Sequence, residues 1–317
     1  MSWLLPHPDA DVSVVIVSYK TREVTRRTLE SLRQARQQVR VEVVVVDNAS
    51  DDGTAEMVRS QFPETVLVAS ERNLGHSGGC NLGMRHARGR HLLCLNSDTQ
   101  MLAGTLDRLA AYLDAHPAVG AVAPKVLNPD GTIQGTIKRF PTPSAALFGR
   151  YSPLTRLFPR NPWSRRYLAY LECDFSRPFR CDTASACALM VRREAIERAG
   201  AFDERFFLYW NDVDWCRAIA SAGFEIHCVP DAAIVHDQHK GGTRAGLRRL
   251  VASTIDFHKG AYRYYRKWHL GSAWHPLSLA AAMLLSLRAA AVIAAETAAW
   301  LLGVAMRETS GRKESAG

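Results

Sequence analysis

The sequence predicts an α/β fold: a mostly parallel central sheet with helices on both faces, followed by a C-terminal helical extension. Two observations carry that prediction. The runs VSVVIVS at Val12–Ser18 and VEVVVV at Val41–Val46 are continuously β-branched, as strands covered on both faces require. Helical periods and turn clusters then alternate with such runs at a regular pitch, the rhythm of strand–helix–strand units.

In chain order, Arg22–Arg36 sets Val24, Leu29 and Leu32 among charged residues and reads as a helix. Asp47-Asn48-Ala49-Ser50-Asp51-Asp52-Gly53-Thr54 is a dense turn cluster leading into a short helix. Val66–Ala69 is a third strand, His91–Asn96 a fourth, Gly104–His116 a helix and Val119–Ala123 a fifth strand. From Lys125 the rhythm changes. The turn Asn128-Pro129-Asp130-Gly131, between Val126 and Ile133, predicts a hairpin. Arg139–Arg180, rich in Pro, Arg and aromatics, reads as loop. Ala184–Val191 is again apolar, Glu194–Ala199 a helix stopped by Gly200, and Asn211–Ala222 a helix ended by Gly223. Glu225–Val229 and Ala232–Val235 read as short strands, and Leu247–Trp268 as a basic helix with interleaved tyrosines. The expected division is residues 10–124, 125–240 and 241–317.

The formal charge of +9 is unevenly spread: from Gly241 onward eleven Lys/Arg stand against four Asp/Glu, which places +7 in the last quarter. A cationic tail points to an anionic partner, and membrane is favoured over nucleic acid because no nucleic-acid module is present. Leu277–Met306 is apolar but contains Arg288 and Glu296, so its longest uncharged run is eleven residues. With Ser278, Ser286, Arg288, Glu296 and Thr297 around half the wheel, it is expected to lie at an interface or against protein rather than span a bilayer. Seven cysteines without a C-x-x-C pair suit reduced, buried thiols in a cytoplasmic protein. The start, MSWLLPHPDADVS, lacks the basic and apolar regions of a signal peptide.

Chemistry is expected at the carboxyl ends of the strands, where open α/β sheets bind ligands. Four ends are polar: Ser18-Tyr19, Asp47-Asn48, Glu71-Arg72-Asn73 and Asn96-Ser97-Asp98. One Asp at such a place is commonly a helix cap, but several in one crevice signal a site. The Gly-rich stretch Asn73-Leu74-Gly75-His76-Ser77-Gly78-Gly79-Cys80-Asn81-Leu82-Gly83 opens a helix and is expected to let backbone approach a diphosphate, or else to serve tight packing. It follows the wrong strand for nicotinamide binding. Later, Phe206-Phe207-Leu208-Tyr209-Trp210-Asn211-Asp212-Val213-Asp214-Trp215 sets an aromatic wall before a carboxylate at a helix start. That carboxylate is either a cap or a general base. His236 ends a strand as a candidate metal ligand.

These motifs together resemble the inverting family 2 glycosyltransferases of GT-A fold, particularly a bacterial rhamnosyltransferase-like branch, over about residues 12–268. The resemblance rests on Val15–Tyr19, Val45–Ser50, Asn73-Leu74-Gly75 with Gly79 and Asn81, Asn96-Ser97-Asp98 and Trp210–Asp214, in that order. It implies a donor pocket bounded by Ser18, Tyr19, Asp47, Asn48, Arg72, Asn73, Gly75, Asn96 and Ser97, receiving a dTDP- or UDP-sugar. It also implies a divalent cation, Mg²⁺ or Mn²⁺, on Asp98 and His236, and a base at Asp212 with Asp214 in reserve. The implied acceptor is a glycan or lipid-linked glycan of bacterial surface polysaccharide, reached at the inner face of the cell membrane. Two positions depart from the pattern: Asn96 replaces the first acid of the D-x-D motif, and Asn211 replaces the Glu before the base. They leave a second reading open, a catalytically lapsed module that docks on membrane or nucleic acid through its basic tail.

Overall fold

β1 (Val12–Ser18) shows why an unbroken β-branched run makes a central strand. Its Val12, Val14 and Ile16 enter one layer, with Leu29, Met57, Val58, Leu106, Leu109 and Leu113. Its Val15 and Val17 enter the opposite layer, with Cys80, Met84, Ile196, Trp215, Cys216 and Ile219. Side chains alternate across a strand, so both faces must be apolar when both are covered. The computed structural model describes residues 10–35, 37–142, 155, 157–158, 161–237 and 246–314. Arg36, most of residues 143–160, and the 240/241 boundary lie outside them.

Around β1 the chain lays down α1 (Arg22–Gln34), β2 (Val41–Asp47), α2 (Thr54–Gln61), β3 (Val66–Ala69), α3 (Gly75–His86) and β4 (His91–Asn96). These strands form the parallel order β3-β2-β1-β4. The strand order reverses between β1 and β4, the place where such sheets open a ligand crevice. There follow β5 (Thr99–Met101), α4 (Thr105–Ala115), β6 (Val119–Leu127), β7 (Ile137–Lys138), α5 (Pro162–Tyr167), β8 (Phe179–Cys181), β9 (Thr183–Ala184), β10 (Ala188–Arg192), α6 (Arg193–Ala199), α7 (Asn211–Ser221) and β11 (Glu225–His236). β10 pairs antiparallel with both β4 and β6, and β11 pairs parallel with β6 and antiparallel with β5 and β8. The expected parallel sheet is therefore the first half, extended by a mixed second half. β6 runs through the expected 124/125 boundary, so the two segments share one sheet.

Several local expectations change. β11 is one strand, not two, because a register shift between Val229 and Ala233 absorbs Pro230, which cannot donate to a ladder. Ala184–Val191 divides into β9 and β10 at Ser185–Cys187. The hairpin at Asn128–Gly131 forms its turn but reduces to one bridge between Leu127 and Ile133. β5, three residues long, carries no hydrophobic pattern that the sequence could announce.

The chain divides into two compact units, Met1–Phe207 with Asn211–Gly241, and Leu208–Trp210 with Gly242–Gly317. In the second, α8 (Leu247–Tyr265) closes in a π-turn at Arg266–Leu270 and α9 covers Pro276–Glu314. Asp256 of α8 accepts the backbone N–H groups of Leu208 (3.2 Å) and Tyr209 (3.0 Å). Trp210, held at φ +70°, stacks among Phe257, Tyr264 and Tyr265. A bulky residue in that backbone region persists only where its surroundings hold it.

α9 corrects the wheel reading of its polar residues. Arg288 Nη1 reaches back to His258 Nε2 (3.3 Å), and Glu296 accepts the Thr254 hydroxyl (3.3 Å), so both charges turn toward α8. Leu277, Leu279, Met283, Leu284, Leu287, Trp300 and Leu301 are exposed instead. The eleven-residue run does not limit the helix either. Pro276–Leu301 is 26 residues with a mean hydropathy of 2.0, long and apolar enough to cross a membrane. At about 1.5 Å per residue it exceeds a hydrocarbon core of roughly 30 Å.

Candidate functional site

Sheet register brings the polar strand ends to one edge. Ser18 is opposite Asp47, Asp47 opposite Ala69, and Val17 opposite Asn96. Ser18 is buried, with its hydroxyl hydrogen-bonded to Thr21 (3.1 Å) and Thr25 (2.8 Å), while Tyr19 beside it is 37% exposed. Asp47 is buried and accepts the Ser50 N–H (3.0 Å), which closes the turn after β2. Asn48 works as a staple: its Oδ1 accepts from Leu74 N–H (2.8 Å), and its Nδ2 donates to Asn73 Oδ1 and Gly75 C=O (both 3.0 Å). Arg72 stands exposed at the rim.

The glycines of α3 pack closely against β1, one of the two roles expected of them. The N–H groups of Leu74, Gly75 and His76 are already bonded to Asn48 Oδ1, Asn73 Oδ1 and Phe207 C=O, so the first turn of α3 has none of these three to offer a diphosphate. A Cβ at Gly79 or Gly83 would lie 2.6 Å from Val17 or 2.4 Å from Val15, so these glycines set how closely α3 approaches β1. Gly75, at φ +72°, would place a Cβ 2.4 Å from Phe207 C=O. Ser77 donates to Phe206 C=O, so this corner seats the chain leading toward Asp212. Gly75→Ala is expected to cost about 1–3 kcal/mol from backbone strain alone, visible as a lower Tm in thermal denaturation.

β5 pairs with the end of β11, His236 opposite Thr99, and Asp237 N–H donates to Asp98 C=O (3.0 Å). That pairing brings His236, 140 residues away in sequence from Asn96, to the end of β4. His236 Nε2 lies 3.1 Å from Asp98 Oδ1, and both side chains are buried. The neighbours define the imidazole. Gln134 Nε2 donates to Asn128 Oδ1 (2.8 Å) and His236 C=O (3.2 Å), which turns its Oε1 to His236 Nδ1 (2.7 Å). Nδ1 therefore carries a proton, and Nε2 faces the Asp98 carboxylate. One carboxylate oxygen beside one imidazole nitrogen is a donor pair that suits Mn²⁺. Among the described residues no group of three or more His, Cys, Asp or Glu could hold a metal, so this pair does not by itself make a complete metal site. Gln134 is a site residue that sequence reasoning missed; nothing in its neighbourhood marks it.

Across the crevice, α7 opens on Asn211 and Asp212. Asp212 is half-buried and its Oδ1 accepts its neighbour Val213 N–H (2.8 Å), whereas Asp214 is buried. Asp98 and Asp212 act on the same groups. Burial pushes the Cys187 thiol up to about 12, and the charges of Asp98 and Asp212 add to that. Burial also holds the His76 imidazole below its ordinary range, against the pull of Asp212 and Asp98. Asn96 at the end of β4 places Nδ2 3.3 Å from His236 Nε2, and Asn211 Nδ2 reaches His76 Nδ1 at 2.8 Å. Ser97 packs its hydroxyl on Thr21 (3.2 Å). Asn96, Asp98 and His236 thus meet at the ends of β4 and β11, Asp212 follows Asn211 at the start of α7, and Asn48 links the end of β2 to the Gly75 corner. His76 was legible only as part of the Gly-rich stretch.

Comparison with known proteins identifies the family and the fold. The model of the family described as "Glycosyl transferase family 2" matches residues 13–200. The chain is 30% identical over 269 residues, 81% of its length and 85% of the relative's, to the N-acetylglucosaminyl-diphospho-decaprenol L-rhamnosyltransferase of Mycobacterium tuberculosis. It is 28% identical over 262 residues, 80% of its length and 19% of the relative's, to the O-antigen biosynthesis protein RfbC of Myxococcus xanthus. Among solved structures it resembles the mannosyltransferase PcManGT from Pyrobaculum calidifontis in complex with GDP-Man and Mn²⁺, with a TM-score of 0.53 at 22% identity over 94% of this chain and 82% of that one. GalNAc-T7 with UDP, GalNAc and Mn²⁺ aligns with a TM-score of 0.56 at 16% identity, over 84% and 52% of the two chains. These two show the GT-A fold. A family model covering more than half the sequence, with a relative aligned along most of both chains, makes this protein a glycosyltransferase of family 2.

Proposed function

We propose that this glycosyltransferase moves a sugar, rhamnose by its likeness to the mycobacterial rhamnosyltransferase, from a nucleotide-diphospho-sugar to a lipid-linked glycan acceptor, with inversion at the anomeric carbon. The observation that carries the reading is the meeting of Asp98 and His236, 3.1 Å apart at the sheet's carboxyl edge. Ser18, Tyr19, Asp47, Asn48, Arg72 and Asn73 bound the nucleoside end of the donor, with Asn96 and Ser97 at the diphosphate end. Gly75 belongs to this pocket as the seat of the Phe207 corner. Asp98 and His236 hold the divalent cation, whose charge, when bound, offsets that developing on the leaving nucleoside diphosphate. Asp212 takes the proton of the acceptor hydroxyl, leaving its oxygen free to attack the face opposite the leaving group. The attack passes through an oxocarbenium-like transition state.

The reading is tested by titrating dTDP and UDP into the protein with and without Mn²⁺. Binding that requires the metal is expected; absence of binding by either nucleotide with Mn²⁺ present overturns the donor assignment.

The outward face of α9, with the cationic α8 beside it in sequence, supports contact with the inner surface of the cell membrane. Its apolar side chains are exposed while Arg288 and Glu296 are turned to α8. The sequence Tyr262-Arg263-Tyr264-Tyr265-Arg266-Lys267-Trp268 suits an anionic headgroup region. The protein is expected to pellet with anionic liposomes, and Leu284→Glu with Leu287→Glu is expected to release it. A protein that stays in the supernatant without these changes defeats the membrane reading.

A further inference from the structure

The three residues before α7 are held by α8. Asp256 accepts the N–H groups of Leu208 (3.2 Å) and Tyr209 (3.0 Å) through one carboxylate oxygen. One turn on, Gly260 lies flush against the same segment: a Cβ there would stand 2.9 Å from Tyr209 C=O and 2.8 Å from Trp210 Cδ1. Trp210 packs on Phe257, Tyr264 and Tyr265 at centroid distances of 5.7, 5.5 and 5.8 Å. Asp256, Gly260 and Tyr264 recur every four residues with Phe257 beside them, so one face of α8 makes the whole clamp. Thr254 and His258, which meet Glu296 and Arg288 of α9, occupy another face. The clamp is kept against local preference. A glycine inside a helix weakens it relative to alanine. Trp210 stands at φ +70°, and its Nε1 is buried with no hydrogen-bond partner among the described residues. Burial raises the Asp256 carboxyl above its ordinary range, against the pull of the Tyr209 and Leu208 N–H groups. Nor can Trp210 cap the helix it precedes, since its side chain has no oxygen to accept the helix N–H groups. Strain of this kind persists only where the surroundings over-determine it, and it gathers at functional sites. Asn211 and Asp212 follow Trp210 directly.

We propose that Asp256 and Gly260 of α8 are positioning residues for the catalytic base: they fix the backbone of Leu208–Trp210, and through it Asn211 and Asp212 at the start of α7. The inference rests on the reading of Asp212 as base. The first residues of a helix have no hydrogen-bonded turn before them, so the chain leading in decides where they stand. Here that chain is held along its length. Phe206 and Phe207 carbonyls accept from the Ser77 hydroxyl and the His76 N–H, and the next three residues are held by α8. A misplacement of about 1 Å at such a point costs about 100-fold in rate. The C-terminal helices then do more than offer a cationic and apolar surface. The helix that carries the partners of α9 also holds the residue before Asn211.

The test compares variants on two faces of α8. Asp256→Ala removes the acceptor of both N–H groups, and Gly260→Ala puts a methyl group where Tyr209 and Trp210 pack. Both are expected to lower kcat by about 10–100-fold with KM for the nucleotide-sugar little changed. Asp256→Asn keeps an oxygen for the two N–H groups and is expected to recover most of that loss. Thr254→Val, on the face toward α9, is expected to keep the wild-type kcat whatever it does to Tm. A loss carried by KM, an Asn variant no better than Ala, or an equal kcat loss in Thr254→Val overturns the positioning role. Independently of turnover, ¹⁹F spectra of protein labelled with 5-fluorotryptophan read the clamp, the Trp210 signal being the one missing from Trp210→Phe. That signal is expected to move in Asp256→Ala and to return in Asp256→Asn; a Trp210 signal unmoved by Asp256→Ala overturns the clamp. Asp212→Asn separates the two readings. Full turnover in that variant beside a kcat loss in Asp256→Ala removes the base assignment and leaves α8 positioning the start of α7. Lost turnover in Asp212→Asn beside wild-type kcat in Asp256→Ala overturns the role of α8 and leaves the base.

Discussion

Asp212→Asn lowers kcat by about 10²–10⁴-fold, the usual contribution of a positioned general base, and leaves nucleotide affinity as it was. The amide has no basic lone pair for the acceptor hydroxyl's proton, yet its oxygen still accepts the Val213 N–H as the carboxylate does, at 2.8 Å in the native protein. The start of α7 therefore survives the change. Asp214→Asn behaves differently. That carboxylate is 2% exposed and its charge acts on Arg205, so its loss is expected to lower Tm while turnover persists. Steady-state turnover, nucleotide titration and thermal denaturation on the two variants decide between them. Loss of turnover in the Asp214 variant alone would transfer the base to the reserve position.

The second large effect belongs to the cation site. Asp98→Asn is expected to weaken Mn²⁺-dependent nucleotide binding by about 100-fold, at the upper end of what even supporting partners of a metal site contribute, and His236→Ala to do the same. Calorimetric titration with and without Mn²⁺ measures it, and metal-free binding is expected to be equal in variant and wild type. An unchanged metal requirement would remove Asp98 from the cation.

Why the two amides of the site are compatible with activity follows from charge. Asp98 and Asp212 already act on His76 and Cys187 together. Acids at 96 and 211 as well would crowd four carboxylates around one buried imidazole and draw a proton onto it. On the proposed reading, one acid is left for the cation and one for the acceptor hydroxyl.

What the sequence by itself determined is the part written in local pattern. Val12–Ser18 and Val41–Asp47 are dominated by valine and isoleucine because most of each strand is covered on both faces, and that signal needs no knowledge of neighbours. Gly200 and Gly223 end their helices at φ +84° and +92°, conformations that only glycine adopts without strain. The order of Asp47, Asp98 and Asp212 on successive elements was equally readable, since each follows a recognisable strand or opens a helix. Tertiary structure decided the rest. A three-residue β5 has no periodicity, yet its pairing with β11 carries His236 to Asp98. The glycines of α3 could have served a phosphate or a close helix–strand approach, and only the distances to Val15, Val17 and Phe207 choose packing. Arg288 and Glu296 read only as part of a polar half-wheel, and the fold supplied His258 and Thr254 of α8 as their partners. His76 finds its ring-nitrogen partner in Asn211, 135 residues away. Local conformation depends on a residue and its near neighbours, whereas ligand geometry and hydrogen-bond direction depend on contacts between distant segments, which exist only once the chain has folded.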